Sequence, residues 1–167
     1  SVSQLDGTYY MYPLSVAAHC MAINYEAFEA AGALQYIDEE TRTWTTDNFV
    51  KAMEAVRDAA AAGTININTP GIIYCGAQGG DQGTRALVNN LYSDYFVNED
   101  GTAYTANSEN NVKALKLLQD MVNNGSMSAN ASFAAADELQ AFANQTCAVS
   151  FCWNYANYTQ YAAQTQF

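Results

Sequence analysis

Short extended runs of apolar residues alternate along the chain with longer segments in which apolar positions recur at helical spacing. Residues 9–14 and 19–24 are rich in aromatic and apolar residues and too short for helices, so both are predicted strands. A short helix is predicted from Tyr25 to Ala31, with Gly32 just beyond its end. The pattern therefore predicts a strand, a strand and a helix at the start of the chain.

A longer helix is predicted after Trp44. Thr45 or Thr46 can accept a hydrogen bond from the free N–H groups of its first turn, and Gly63 is expected to close it.

Two more helices are predicted in the second half of the chain. The first opens near Ser108 and stops at residues 124–125, and the second covers about residues 132–144, with Leu139 and Phe142 facing inward. The apolar residues expected on one buried face of the first helix are Val112, Leu115, Leu118, Met121 and Val122.

A strand, a glycine-dense loop and a helix follow one another in the middle of the chain. Residues 71–75 form the predicted strand, residues 76–83 the loop, and the helix is expected from about Thr84 to Ser93. Another buried strand is predicted at residues 148–152, before an aromatic-rich final helix. This order is typical of α/β proteins, so the expected fold class is α/β.

Composition narrows the classes of function. The 167 residues suit a single domain, and the 50% hydrophobic content is far from that of disordered chains. A formal charge of −11, from 17 acidic and 6 basic residues, argues against nucleic acid as a partner. We expect neither a targeting nor a membrane-spanning segment within these residues, and we expect the chain to be a piece of a longer protein.

Four cysteines, Cys20, Cys75, Cys147 and Cys152, accompany the single histidine. None forms a C-x-x-C pair, so neither a metal site nor a thioredoxin-type site is expected, and no cofactor is implied. Two alternatives remain for the thiols. They are either small buried apolar residues, or Cys75 and Cys152 form a disulfide.

Four segments, in order, are similar to motifs of the extracellular solute-binding proteins of sugar ABC importers, the maltose-binding-protein-like group with the type II periplasmic-binding-protein fold. The segments are residues 6–14 (DGTYYMYPL), 24–32 (NYEAFEAAG), 43–49 (TWTTDNF) and 141–149 (AFANQTCAV). The last resembles the family's Ala-Phe-x-x-Gly-Lys-x-Ala-Met, although Gln145 stands where glycine is usual.

The resemblance implies a three-layer α/β/α lobe with a mixed, mostly parallel sheet. Residues 1–167 would form a single domain, the second lobe of a two-lobe protein whose first lobe is absent, with residues 6–20 near the hinge. It also implies non-enzymatic capture of a sugar by closure of the two lobes, followed by docking on the ABC permease subunits. The location implied is extracellular, as a cell-surface lipoprotein or in the periplasm, with membrane contact only through a lipid anchor of the parent protein.

Sugars present hydroxyl groups and an apolar ring face, so their sites combine aromatic rings with planar polar side chains. The first candidate segment is residues 76–85, where glycines allow a ligand close to the backbone and a helix presents free N–H groups. Its candidate ligand-binding side chains are Gln78, Asp81, Gln82 and Arg85. The alternative is a plain glycine turn in which Asp81 or Thr84 caps the helix.

The second candidate segment contains Trp153, Asn154 and Tyr155. The family places an aromatic that stacks on sugar here, and the register leaves both Trp153 and Tyr155 open, against the alternative of a core tryptophan. The third is the crossover before the second strand, where His19 or Ser15 would be the polar contact, against a packing role for the histidine. His19 and Cys20 point to opposite faces of a strand, so they form no catalytic dyad.

Two other classes of function stay open from the sequence. One is an enzyme domain that acts on an anionic small substrate through residues 76–85. The other is an extracellular interaction module in which Tyr155, Tyr158 and Tyr161 form an exposed patch.

Overall fold

The computed structural model describes residues 4–11, 18–76 and 82–167. The strands are β1 (Gln4–Leu5), β2 (Thr8–Tyr9), β3 (Cys20–Ile23), β4 (Ile72–Tyr74), β5 (Ser128–Asn130) and β6 (Val149–Trp153). The helices are α1 (Tyr25–Ala30), α2 (Thr46–Ala61), α3 (Gln82–Leu91), α4 (Glu109–Asn123), α5 (Ala135–Ala143) and α6 (Tyr155–Tyr161). The expected α/β class is confirmed as a mixed α/β fold with small sheets. The described strands do not form the mostly parallel sheet that was expected, because β1–β2 and β3–β6 pair antiparallel and only β4–β5 pairs parallel. Ser15, Gln78 and Asp81 lie outside the described residues, as does much of the first predicted strand.

Strand β6 is the element that joins the others. It pairs antiparallel with β3, and the segment before it forms a parallel bridge from Cys147 to Thr69, just ahead of β4. The carbonyl oxygen of Pro70 accepts hydrogen bonds from the N–H groups of Ala148 and Val149, at 2.9 and 3.0 Å. Since β4 also pairs parallel with β5, the carboxyl ends of β4, β5 and β6 point to one edge, beside the beginning of β3.

The ends of the first two helices follow local sequence signals, as predicted. Helix α1 ends at Ala30, and Gly32 adopts a φ of +65°, which only a residue without a Cβ reaches easily. Helix α2 begins after Thr45, whose Oγ1 accepts a hydrogen bond from the N–H of Asn48 at 3.2 Å. Gly63, at a φ of +72°, follows its end.

The buried face of α4 differs from the predicted one. Leu118 and Met121 are buried as predicted, but Val112 and Leu115 are exposed, and Asn111 and Ala114 complete the buried stripe in their place. The reason is a loop beside the first turn of α4, because Nδ2 of Asn111 donates to the carbonyl oxygens of Tyr95 and Thr105 at 3.0 and 3.1 Å. A polar residue with backbone partners thus takes the interior position.

Two hydrophobic clusters lie against β6. Val149 and Phe151 belong to a large cluster with residues of α1, α2, α3 and α4, whereas Trp153 belongs to a smaller one with Phe142 and Tyr161 of α5 and α6. Val149, Phe151 and Trp153 are two residues apart and would share one face of a regular strand, so the change of cluster between Phe151 and Trp153 accompanies the irregular pairing of β6 with β3. All five residues of β6 are buried.

The four cysteines are free thiols, so the Cys75–Cys152 disulfide alternative is wrong. Cys147 and Cys152 are buried apolar residues, as the other alternative expected, but Cys20 and Cys75 are exposed. The two exposed cysteines lie at strand ends, because Cys20 is the first residue of β3 and Cys75 directly follows β4.

Gly76 marks the closest approach of two backbone segments, and a side chain there is expected to destabilise the fold. A Cβ on Gly76 would lie 2.0 Å from the carbonyl oxygen of Phe133 and 2.9 Å from the nitrogen of Ala134. Gly76→Ala should therefore lower the free energy of unfolding by at least about 2 kcal/mol, measured by urea denaturation. Gly101→Ala is the control, because that glycine has open space around it and only its positive φ opposes a Cβ, at about 1 kcal/mol. Equal losses in the two variants would contradict the prediction.

Candidate functional site

The described parts of the three candidate segments meet at the edge where β4 and β6 end and β3 begins. Nε2 of His19 lies 3.1 Å from Nδ2 of Asn154. Oε1 of Gln82 lies 3.9 Å from the thiol of Cys152, which joins the start of α3 to the end of β6. We call this group, His19, Gln82, Asn154 and Tyr155, the edge cluster.

The beginning of α6 is held by a reciprocal cap. Oδ1 of Asn154 accepts from the N–H of Asn157 at 3.0 Å, and Oδ1 of Asn157 accepts from the N–H of Asn154 at 3.0 Å. Two N–H groups that a helix start leaves without partners are thereby satisfied. The cap fixes the direction in which the first helical residue, Tyr155, leaves the sheet edge.

Tyr155 and Tyr158 form an exposed aromatic pair on α6. Tyr155 is 82% exposed and Tyr158 57%, and their ring centroids lie 6.4 Å apart with an interplanar angle of 30°. Residues 155 and 158 are about one turn apart on α6, so the two exposed rings form an aromatic surface. Such a surface suits the apolar face of a sugar ring.

Trp153, in contrast, lies in the interior. It is 8% exposed, and its ring centroid lies 5.2 Å from that of Phe142 and 6.0 Å from that of Tyr161. The structure therefore places Tyr155, rather than Trp153, where a ligand can reach an aromatic face. Tyr161 is also buried, so the exposed patch predicted to contain three tyrosines of α6 contains two.

The start of α3 is partly occupied by contacts with β4. The helix begins at Gln82, two residues before the expected start, and the N–H of Gly83 donates to the hydroxyl of Tyr74 at 3.2 Å. Oγ1 of Thr84 accepts from the N–H of Tyr74 at 2.8 Å and donates to its carbonyl oxygen at 2.7 Å. Thr84 thus connects strand to helix instead of capping α3, while Gln82 and Arg85 are exposed on the first turn.

A groove runs from the edge cluster between β3 and α3. It encloses about 360 Å³, with His19 and Asn90 among its polar lining residues and Trp44 and Leu87 among its apolar ones. A neighbouring groove of about 620 Å³ shares Trp44 with it. In the part of the chain that the structure describes, no group of three or more His, Cys, Asp or Glu side chains is placed to hold a metal ion.

Glu138 is a functional candidate that the sequence reasoning missed. It is fully buried, and its carboxylate accepts from the hydroxyl of Ser150 at 2.8 Å and from the N–H of Phe151 at 2.7 Å. Burial raises the pKa of Glu138 to about 7, against the opposing effect of these two hydrogen bonds. The sequence contained a signal for this burial. Glu138 lies four residues before the inward-facing Phe142 and therefore on the same face of the helix.

Comparison with known proteins bears on the fold. No protein-family model matches the chain, and no curated protein matches it. Among solved structures, the chain is similar to the GacH receptor of Streptomyces glaucescens, with a TM-score of 0.62 over 88% of this chain at 16% identity. That receptor was solved in the unliganded form and in complex with acarbose and an acarbose homolog. The match covers 34% of the receptor, so this chain spans about a third of its length. At this identity the similarity shows the fold alone.

The buried carboxyl group of Glu138 predicts a specific dependence of stability on pH. Since its pKa is raised from 4.5 to about 7, the folded chain keeps a proton that the unfolded chain releases. The resulting stability is fully present below pH 4.5 and is lost as the pH rises through about 7. A pKa rise of this size corresponds to about 3 kcal/mol in the free energy of unfolding.

Glu138→Gln carries no titrating proton and should lose this dependence. Urea unfolding at several pH values should show that the difference in stability between the two proteins shifts by about 3 kcal/mol from acid to alkaline pH. Glu29→Gln, at an exposed position of α1, should leave the dependence as it is. If the free energy of unfolding changes with pH in the same way in Glu138→Gln and in the unmodified chain, Glu138 is not the group that causes the pH dependence.

Proposed function

We propose that this chain is a ligand-binding lobe of an extracellular receptor that captures a sugar or oligosaccharide for an ABC importer. The observation that carries the proposal is the exposed aromatic pair, Tyr155 and Tyr158, beside polar side chains at the sheet edge. Ligands of α/β proteins bind beyond the carboxyl ends of the strands, which is the edge where these residues lie. No covalent step is part of this function.

The architecture supports the proposal in two ways. Helices of different parts of the chain pack against the two faces of β6, which suits a lobe with three layers. The chain is also similar in fold to part of a receptor solved with acarbose, which makes a carbohydrate the first ligand class to test.

The polar side chains of the edge cluster complement the aromatic pair. Gln82 is exposed, and the imidazole of His19 and the amide of Asn154 lie together at 3.1 Å. Amide and imidazole groups both donate and accept, as the hydroxyl groups of a sugar require. Arg85 lies one turn further along α3, while Gln78 and Asp81 remain contacts proposed from the sequence of the glycine-dense segment, residues 76–85.

In the proposed mechanism the sugar rests on this lobe, and a first lobe of the same protein closes over it. The closed form then docks on permease subunits, and the parent protein is held at the cell surface by a lipid anchor or lies in the periplasm. Capture by closure means that the second lobe supplies about half of the contacts, so the isolated chain should bind sugar weakly. Within the described residues no helix is long and apolar enough to cross a membrane.

Replacement of Tyr155 tests the proposal in the full two-lobe protein. Calorimetric titration with a panel of oligosaccharides should identify a ligand, and Tyr155→Ala should weaken its binding by about tenfold or more through loss of ring stacking. Tyr104→Ala is the matched control, because Tyr104 is equally exposed but lies on the loop between α3 and α4. Absence of saturable sugar binding, or equal losses in both variants, would overturn the proposal, and turnover of an anionic substrate would support the enzyme alternative.

A further inference from the structure

The pairing of β6 with β3 contains an irregularity directly beneath the edge cluster. Ala22 lies opposite Ser150, and Cys20 lies opposite Trp153, so two steps along β3 match three steps along β6. The extra residue of β6 forms a β-bulge, which bends a strand and redirects the side chains that follow. The residues that follow are Asn154 and Tyr155.

A bulge inside a buried strand leaves backbone groups that need partners from elsewhere. The N–H of Phe151, within the irregular stretch, donates at 2.7 Å to Oε1 of Glu138, and the hydroxyl of Ser150 donates at 2.8 Å to Oε2. Both residues of β6 are buried, so no solvent can replace these bonds without the strand moving. Glu138, on α5, therefore supplies the hydrogen-bond acceptor that the strand pairing does not provide for the N–H of Phe151.

We infer that Glu138 is a positioning residue of the binding site, which holds the β6 bulge and so directs Asn154 and Tyr155 to the sheet edge, and that ionisation of its carboxyl group loosens this edge. Phe151 is only three residues from Asn154, and the intervening backbone carries Cys152, which contacts Gln82. A shift of β6 would thus reach both sides of the edge cluster. The ligand part of this inference rests on the proposed function.

The titratable groups that interact with Glu138 favour a single transition. The thiols of Cys147 and Cys152 both interact electrostatically with it. Burial, followed by the charge of Glu138, raises the pKa of Cys147 to about 12 and also raises the pKa of Cys152. Both thiols therefore stay neutral around pH 7, where Glu138 changes charge. Desolvation makes the charged form costly, so water or backbone movement must accompany it.

Trp153, two residues beyond Phe151 on β6, reports on this movement without any ligand. In a Trp44→Phe background it is the sole tryptophan, and its fluorescence and quenching by acrylamide can be followed from pH 5 to pH 9. We expect a red shift and increased quenching with a midpoint near pH 7, and no such transition after Glu138→Gln. As a further control, the transition should persist after His19→Gln.

Two further variants separate positioning from general stability. Glu138→Leu removes the acceptor and should give the alkaline spectrum of Trp153 and fast hydrogen exchange of the Phe151 amide at every pH. Glu138→Gln, whose amide oxygen can accept from Phe151, should keep that amide protected. If Glu138→Leu does not fold, the comparison of Glu138→Gln with the unmodified chain decides the question. A transition that persists in Glu138→Gln, or its absence from the unmodified chain, would overturn the inference.

The sugar ligand, once identified in the full two-lobe protein, provides a second readout. From pH 6 to pH 8 its affinity should fall about threefold or more further with Glu138 present than with Glu138→Gln. The same change of affinity in both proteins would overturn the link to the site. Failure of the proposed function alone would look different, because the Trp153 transition would then be present without any sugar binding.

Discussion

Strand β6 is buried on both faces, so each of its polar backbone groups must find a partner inside the protein. Its partners come from the whole chain: β3 on one side, Pro70 at its beginning, and the carboxylate of Glu138 beneath Phe151. The two hydrophobic clusters meet at this strand. An error in its pairing would therefore disturb both clusters as well as the sheet edge that carries the proposed site.

The transition from interior to surface occurs within three residues. Trp153 ends β6 and packs in the smaller cluster, Asn154 caps α6, and Tyr155 is exposed. Two constraints make this possible. The irregular pairing of β6 with β3 accompanies the turn of Trp153 toward α5, and the reciprocal cap with Asn157 starts the helix at once, so the next aromatic ring points away from the core.

The similarity to a solved receptor and the low sequence identity have a common physical basis. Hydrophobic cores tolerate exchange of residues of about the right size, whereas pairing, caps and close backbone approaches depend on a few positions. Gly76 beside Phe133 and Thr84 beside Tyr74 are such positions in this chain. Because a shared fold does not carry a shared site, the case for a carbohydrate ligand depends on Tyr155 and its neighbours.

The sequence alone determined the elements whose signals are local. Thr45, Gly32 and Gly63 act within one helical turn, so the ends of α1 and α2 could be predicted, as could the buried run of β6. Tertiary structure decided what depends on distant neighbours: the interior position of Asn111, the burial of Trp153 and the exposure of Tyr155, and the absence of a Cys75–Cys152 bond. The role of Glu138 was likewise decided by the tertiary structure. A carboxyl group on a helix has a defined partner only after packing brings an unpaired N–H of another element, here that of Phe151, within hydrogen-bonding distance.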